Sequence, residues 1–82
     1  MEATHLYQKG VEEVVRRVHS MDSEIGSYKD HTYDPSANGF IVELSNGFLK
    51  MSREVARDCE EAPDSVTRER VRKVAETFKP KD

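Results

Sequence analysis

Three histidines, His5, His19 and His31, and one cysteine, Cys59, are the soft side chains from which a metal site or a nucleophile and its base would have to be assembled. Zinc sites usually take ligands in close pairs such as C-x2-C or H-x3-H, and none of these four residues forms such a pair. A nucleophile needs an adjacent base or a depressed pKa, and nothing around Cys59 in the sequence supplies either. Asp34 and Glu43 are acids with no second carboxylate placed beside them, so a two-carboxylate mechanism has no support. There is no glycine-rich phosphate loop and no nucleophile elbow. These residues imply a non-enzymatic chain with no catalytic residue, no metal and no cofactor, working by binding another macromolecule.

A different chemistry is offered by the basic run Arg68, Arg70, Arg72 and Lys73, broken by Glu69. On a helix, that run suits phosphate contacts, and a preceding helix joined by a short turn raises a DNA-binding helix-turn-helix as the alternative function. Ala56 and Val66 are spaced like the small residue of a first helix and the apolar residue of a recognition helix in that family. Asp58, Glu60, Glu61 and Asp64 cluster near the turn, where they repel phosphates. An ordinary solvated helix face with Glu69 and Lys73 as an i,i+4 pair accounts for the same residues.

The whole chain limits these readings. Its 82 residues make one domain, and a domain of this size buries only about 60% of the surface its unfolded chain exposes. Thirteen basic and sixteen acidic residues leave a formal charge of −3, so no overall field draws nucleic acid or an anionic membrane. A single cysteine forms no internal disulfide, and neither a signal-peptide run nor a membrane-spanning apolar run is present. The expected setting is reducing and cytoplasmic, with no membrane association.

The elements that must position any site can be read from periodicity. Tyr7, Val11, Val14, Val18, Met21 and Ile25 recur at alternating gaps of four and three, which places them on one stripe of a helix over about residues 4–25. Thr4 is its expected N-cap and Gly26 its expected terminator. Glu12 with Arg16 and Glu13 with Arg17 support its solvent face, and Gly10 weakens it. The stripe suits core packing, or a short seam through which two copies would dimerise.

Asn46-Gly47 lies between the apolar runs 40–45 and 48–51 and predicts a two-residue type I′ hairpin. That register opposes Ser45 to Phe48, Leu44 to Leu49, Glu43 to Lys50 and Val42 to Met51. Leu44, Leu49, Val42 and Met51 then share one face, and Phe40, Ile41 and Phe48 are assigned to the other as a partner-binding patch if only one face is covered. A third strand from Ser27 to Tyr33 would reach the hairpin through the turn at Asp34–Gly39. Ser52 caps a helix over about 53–61 that ends at Pro63, and Asp64 or Ser65 caps a last helix over about 65–78. The expected fold is α+β: an N-terminal helix, an antiparallel two- or three-stranded β-meander and two C-terminal helices.

Val42-Glu43-Leu44-Ser45, then Glu61-Ala62-Pro63-Asp64, then Arg68-Glu69-Arg70-Val71 resemble the V-x-L-S, A-P-D and E-R-V motifs of the flagellar anti-sigma-28 factor family, over the C-terminal half of the chain. In that family the equivalent region wraps a sigma factor as a series of helices and keeps it from RNA polymerase. The resemblance implies a small regulatory protein that inhibits transcription through a protein–protein contact with a sigma factor.

Overall fold

A computed structural model describes residues 6–81 of the chain. Helix α1 (Gln8–Met21) buries Val11, Val14, Val15 and Val18. Those four valines of the stripe are therefore core, while Met21 at the end of the helix is exposed. Its expected cap, Thr4, lies outside the described residues. The helix starts after Tyr7, which sits at φ 56° without a side-chain cap bond. A donor of the first turn is instead satisfied from another helix, since the Gly10 N–H donates to Glu60 Oε1 at 3.2 Å. Glycine is required at this position because a Cβ there would lie 1.9 Å from the Ala56 carbonyl oxygen.

The apolar period runs on to Ile25, but α1 stops at Met21. Asp22 is extended, and its carboxylate takes the Glu24 N–H at 3.1 Å. This local bond competes with helix continuation. A 3-10 turn (Ser23–Ile25) still delivers Ile25 to the core, and Gly26, at φ 86°, ends that turn rather than α1.

Four antiparallel strands follow in the spatial order β1 (Tyr28–Asp34), β2 (Gly39–Leu44), β3 (Gly47–Ser52) and β4 (Lys79–Pro80). Between β3 and β4 the chain forms α2 (Arg53–Glu61), a 3-10 turn (Pro63–Ser65) and α3 (Arg68–Ala75). The last helix is shorter than its apolar pattern suggests. Its cap is Thr67, whose hydroxyl accepts the Arg70 N–H at 3.2 Å, it ends at Ala75, and residues 79 and 80 beyond it pair with β3. Ser52 caps α2 as expected, accepting the Val55 N–H at 3.2 Å.

The hairpin register differs from the Asn-Gly expectation. Leu44 opposes Gly47, Glu43 opposes Phe48, Val42 opposes Leu49, Ile41 opposes Lys50 and Phe40 opposes Met51. Ser45 and Asn46 are the turn residues, and neither has a positive φ. Tertiary bonds outweigh the Asn-Gly preference here. Ser45 exchanges two bonds with Ser27, at 2.8 and 2.9 Å, and Asn46 Nδ2 donates to the Glu24 carbonyl at 2.9 Å. The glycine serves strand packing, because a Cβ on Gly47 would come 2.3 Å from the Lys79 carbonyl oxygen.

The shift moves each residue's partner by two positions, so it preserves which face each residue occupies. Val42, Leu44, Leu49 and Met51 point inward as expected, and so does Phe40, which is two residues from Val42 and only 1% exposed. Phe40 thus belongs to the core and not to a partner-binding patch. Helices lie against this inner face alone: α2 and α3 pack on β3, and α1 packs on α2, α3 and β1. The aromatic end of the core is built from His31, Tyr33 and Phe40, with His31 and Tyr33 each meeting the Phe40 ring at 5.3–5.4 Å between centroids. No helix among the described residues is long and apolar enough to cross a membrane.

Candidate functional site: the open face of the sheet

Alternation along β1, β2 and β3 leaves an outer face with no helix over it among the described residues. Its residues form two rows across the strands. Asp30, Glu43, Phe48 and Lys79 oppose one another in the first row, and Thr32, Ile41 and Lys50 in the second. Ile41 and Phe48 are each 39% exposed although their sheet neighbours Val42 and Leu49 are fully buried. They sit on adjacent strands and border a shallow hollow of about 140 Å³ with Asp30, Thr32 and Glu43. The surroundings are charged with a direction. Acids stand on the β1–β2 side and lysines on the β3–β4 side, where Lys81 reaches across the Phe48 ring at 5.7 Å to meet Glu43 at 3.1 Å. The expected Glu43–Lys50 cross-strand pair does not form, because Glu43 stands opposite Phe48.

The edge of β1 is less suited to accept another strand. It carries Lys29, Asp30 and Asp34, and its register is interrupted between Tyr28 and Asp30. Charges and bulges of this kind keep an edge from pairing with other chains.

The soft side chains are dispersed. His31 is buried with Nδ1 2.6 Å from the Tyr28 hydroxyl, which also accepts from Gln8 Nε2 at 3.1 Å. Burial pushes the Tyr28 hydroxyl up, so it keeps its proton at neutral pH. His19 is exposed on α1, and His5 lies outside the described residues. Cys59 is buried among the helices, and burial raises its thiol, the opposite of nucleophile activation. Among the described residues, no three His, Cys, Asp or Glu side chains gather where they could hold a metal ion.

The basic run on α3 is largely tied to acids. Arg70 meets Asp58 of α2 at 3.0 Å, and Arg72 lies between Glu69 at 2.6 Å and Glu76 at 2.8 Å. The hydrogen bond from Arg70 holds the Asp58 carboxyl below its usual range, and that from Arg72 does the same for Glu69. The i,i+4 partner of Glu69 was expected to be Lys73; Arg72 makes the contact instead. Arg68 is exposed beside a groove it shares with Arg16, Arg17, Met21 and Val66. Arg16 and Arg17 share one acid, Glu13, at 2.5 and 3.0 Å. Arg17 also donates to the Pro63 and Val66 carbonyls, at 3.3 and 3.4 Å, which ties α1 to the segment between α2 and α3.

The segments that resemble anti-sigma-28 motifs are spread over different elements. Residues 42–45 form the end of β2 and its turn, 61–64 the exit from α2, and 68–71 the start of α3. No family model matches the chain, and searches of curated proteins and of solved structures return no match.

Proposed function

We propose that the chain is a small non-enzymatic regulatory protein that binds a protein partner through the open face of its sheet. The observation that carries this reading is the pair Ile41 and Phe48, half-exposed side by side on the face that no helix covers. An apolar centre with an aromatic residue inside a charged rim is how protein interfaces are commonly built. The complementary partner surface has an apolar centre, a basic flank toward β1–β2 and an acidic flank toward β3–β4. A sigma factor is the partner that the motif resemblance supplies, which would make the chain a transcription inhibitor.

Binding of nucleic acid through α3 has less support. Arg70 and Arg72 already face carboxylates, and Asp58 and Glu69 would oppose phosphates there. The deciding experiment is capture of partners from a cell extract by the wild-type chain and by Phe48→Ser, with and without nuclease treatment. A protein retained by the wild type and lost by the variant, with both chains equally folded, supports the proposal. A partner lost instead on replacing Arg68 and Lys73, and released by moderate salt, would transfer the function to α3.

A further inference from the structure

The arrangement of charge on the open face says more about its occupant, if that face is indeed the binding surface. From β1 to β4 the first row reads Asp30, Glu43, Phe48, Lys79, which is acid, acid, aromatic, base. The second row reads Thr32, Ile41, Lys50. Reversed, such a row sets its acidic end against its basic end.

We infer that the face binds a second copy of this chain, with the two-fold axis running along the strands. Rotation about that axis keeps each row at its own height and reverses its order. Asp30 of one copy then faces Lys79 of the other, Glu43 faces Phe48 and Ile41 faces Lys50, and the two Phe48 rings, each with Lys81 of its own chain beside it, meet diagonally near the axis. Sheets stacked at about 10 Å bring such side chains into contact. The other in-plane two-fold axis, across the strands, would set β1 over β1 and bring acids against acids. Charge therefore selects one of the two orientations, which is the main service of charged groups at an interface rim.

Four strands at about 4.8 Å spacing make a face roughly 20 Å across. This is at the small end of specific interfaces, which typically bury about 800 Å² per partner, so the dimer is weak and reversible.

The test uses charge reversal. Asp30 and Lys79 stand three strand spacings apart, about 14 Å, too far to pair within one chain. Asp30→Lys and Lys79→Asp each place like charges opposite one another in the dimer, twice over. Sedimentation equilibrium from about 10 μM to about 1 mM should show wild-type dimers and, for each variant alone, association weakened by at least roughly tenfold. Mixing the two variants should restore it, because each chain then opposes unlike charges. Phe48→Ser should abolish association, and thermal unfolding establishes that every variant is folded.

A dimer that persists in Phe48→Ser, or variants that fail to recover on mixing, would overturn the inference. A chain that stays monomeric throughout while Phe48→Ser still loses a captured protein also overturns it, yet leaves the proposed function standing. A monomer with no Phe48-dependent partner removes both.

Discussion

The two faces of the sheet are made from the same strands and each carries large apolar side chains, five on the inner face of the hairpin and two on the outer, yet these have opposite fates. Phe40, Val42, Leu44, Leu49 and Met51 lie under three helices, whereas Ile41 and Phe48, one residue out of phase, stand in solvent beside lysines and acids. Phe40 and Phe48 are the same residue type on neighbouring strands, one 1% and the other 39% exposed. For these two phenylalanines, parity along the strand decides between core and open face.

The difference can be tested directly by mutation. Phe40→Ala removes a ring that packs edge-on against His31 and Tyr33, and should cost about 3–5 kcal/mol. A small domain with a total stability of about 5 kcal/mol would be close to unfolded, which a loss of cooperative thermal unfolding would reveal. Phe48→Ser should cost about 1 kcal/mol or less while eliminating association. Equal losses of stability at the two positions would contradict the one-sided sheet.

Gly10→Ala tests the layer above the inner face. Alanine is favoured over glycine in a helix by about 1 kcal/mol, but the added Cβ would meet the Ala56 carbonyl oxygen at 1.9 Å. The net effect should be destabilising by about 1–3 kcal/mol in chemical denaturation, the opposite sign to helix propensity. Ser52→Ala and Thr67→Ala, which remove the caps of α2 and α3, should each cost about 1 kcal/mol in the same measurement.

The smallest effect concerns pH. The Arg16 hydrogen bond, with Arg17 beside it, holds the Glu13 carboxyl at about 2, down from 4.5. Glu13 is thus more acidic in the folded chain than in the unfolded one. Its stabilisation is fully present above pH 4.5 and declines as pH falls toward about 2. Because the pair is at the surface, Glu13→Gln should cost only about 0.5 kcal/mol at neutral pH, with the difference from wild type vanishing in acid.

Much of this architecture was legible in the chain. The period of Val11, Val14 and Val18 marks a core helix, Ser52 marks the start of α2, and alternation around Asn46-Gly47 marks two strands with Val42, Leu44, Leu49 and Met51 on one side. A third strand after Ser27 was also anticipated from the turn at Asp34–Gly39. The errors occur where distant groups compete with local preferences. The type I′ turn yields to bonds from Ser27 and Glu24, and a short fourth strand forms beyond the last helix because residues 79 and 80 find partners on β3. Phe40 was assigned to the wrong face even though its two-residue separation from Val42 places it inward. Of the candidate patch, Ile41 and Phe48 stand where alternation puts them.

The sequence by itself determined the order of helix, strands and helices, and the face on which each hairpin residue lies, because helix period and strand alternation are local properties of the backbone. Only the tertiary structure decided the pairing register, the fourth strand, the reason for Gly10, and the single face that the helices cover. Each of these depends on contacts between segments far apart in the chain. The charge order Asp30, Glu43, Phe48, Lys79 is of the same kind, since it exists only once β1, β2, β3 and β4 lie side by side.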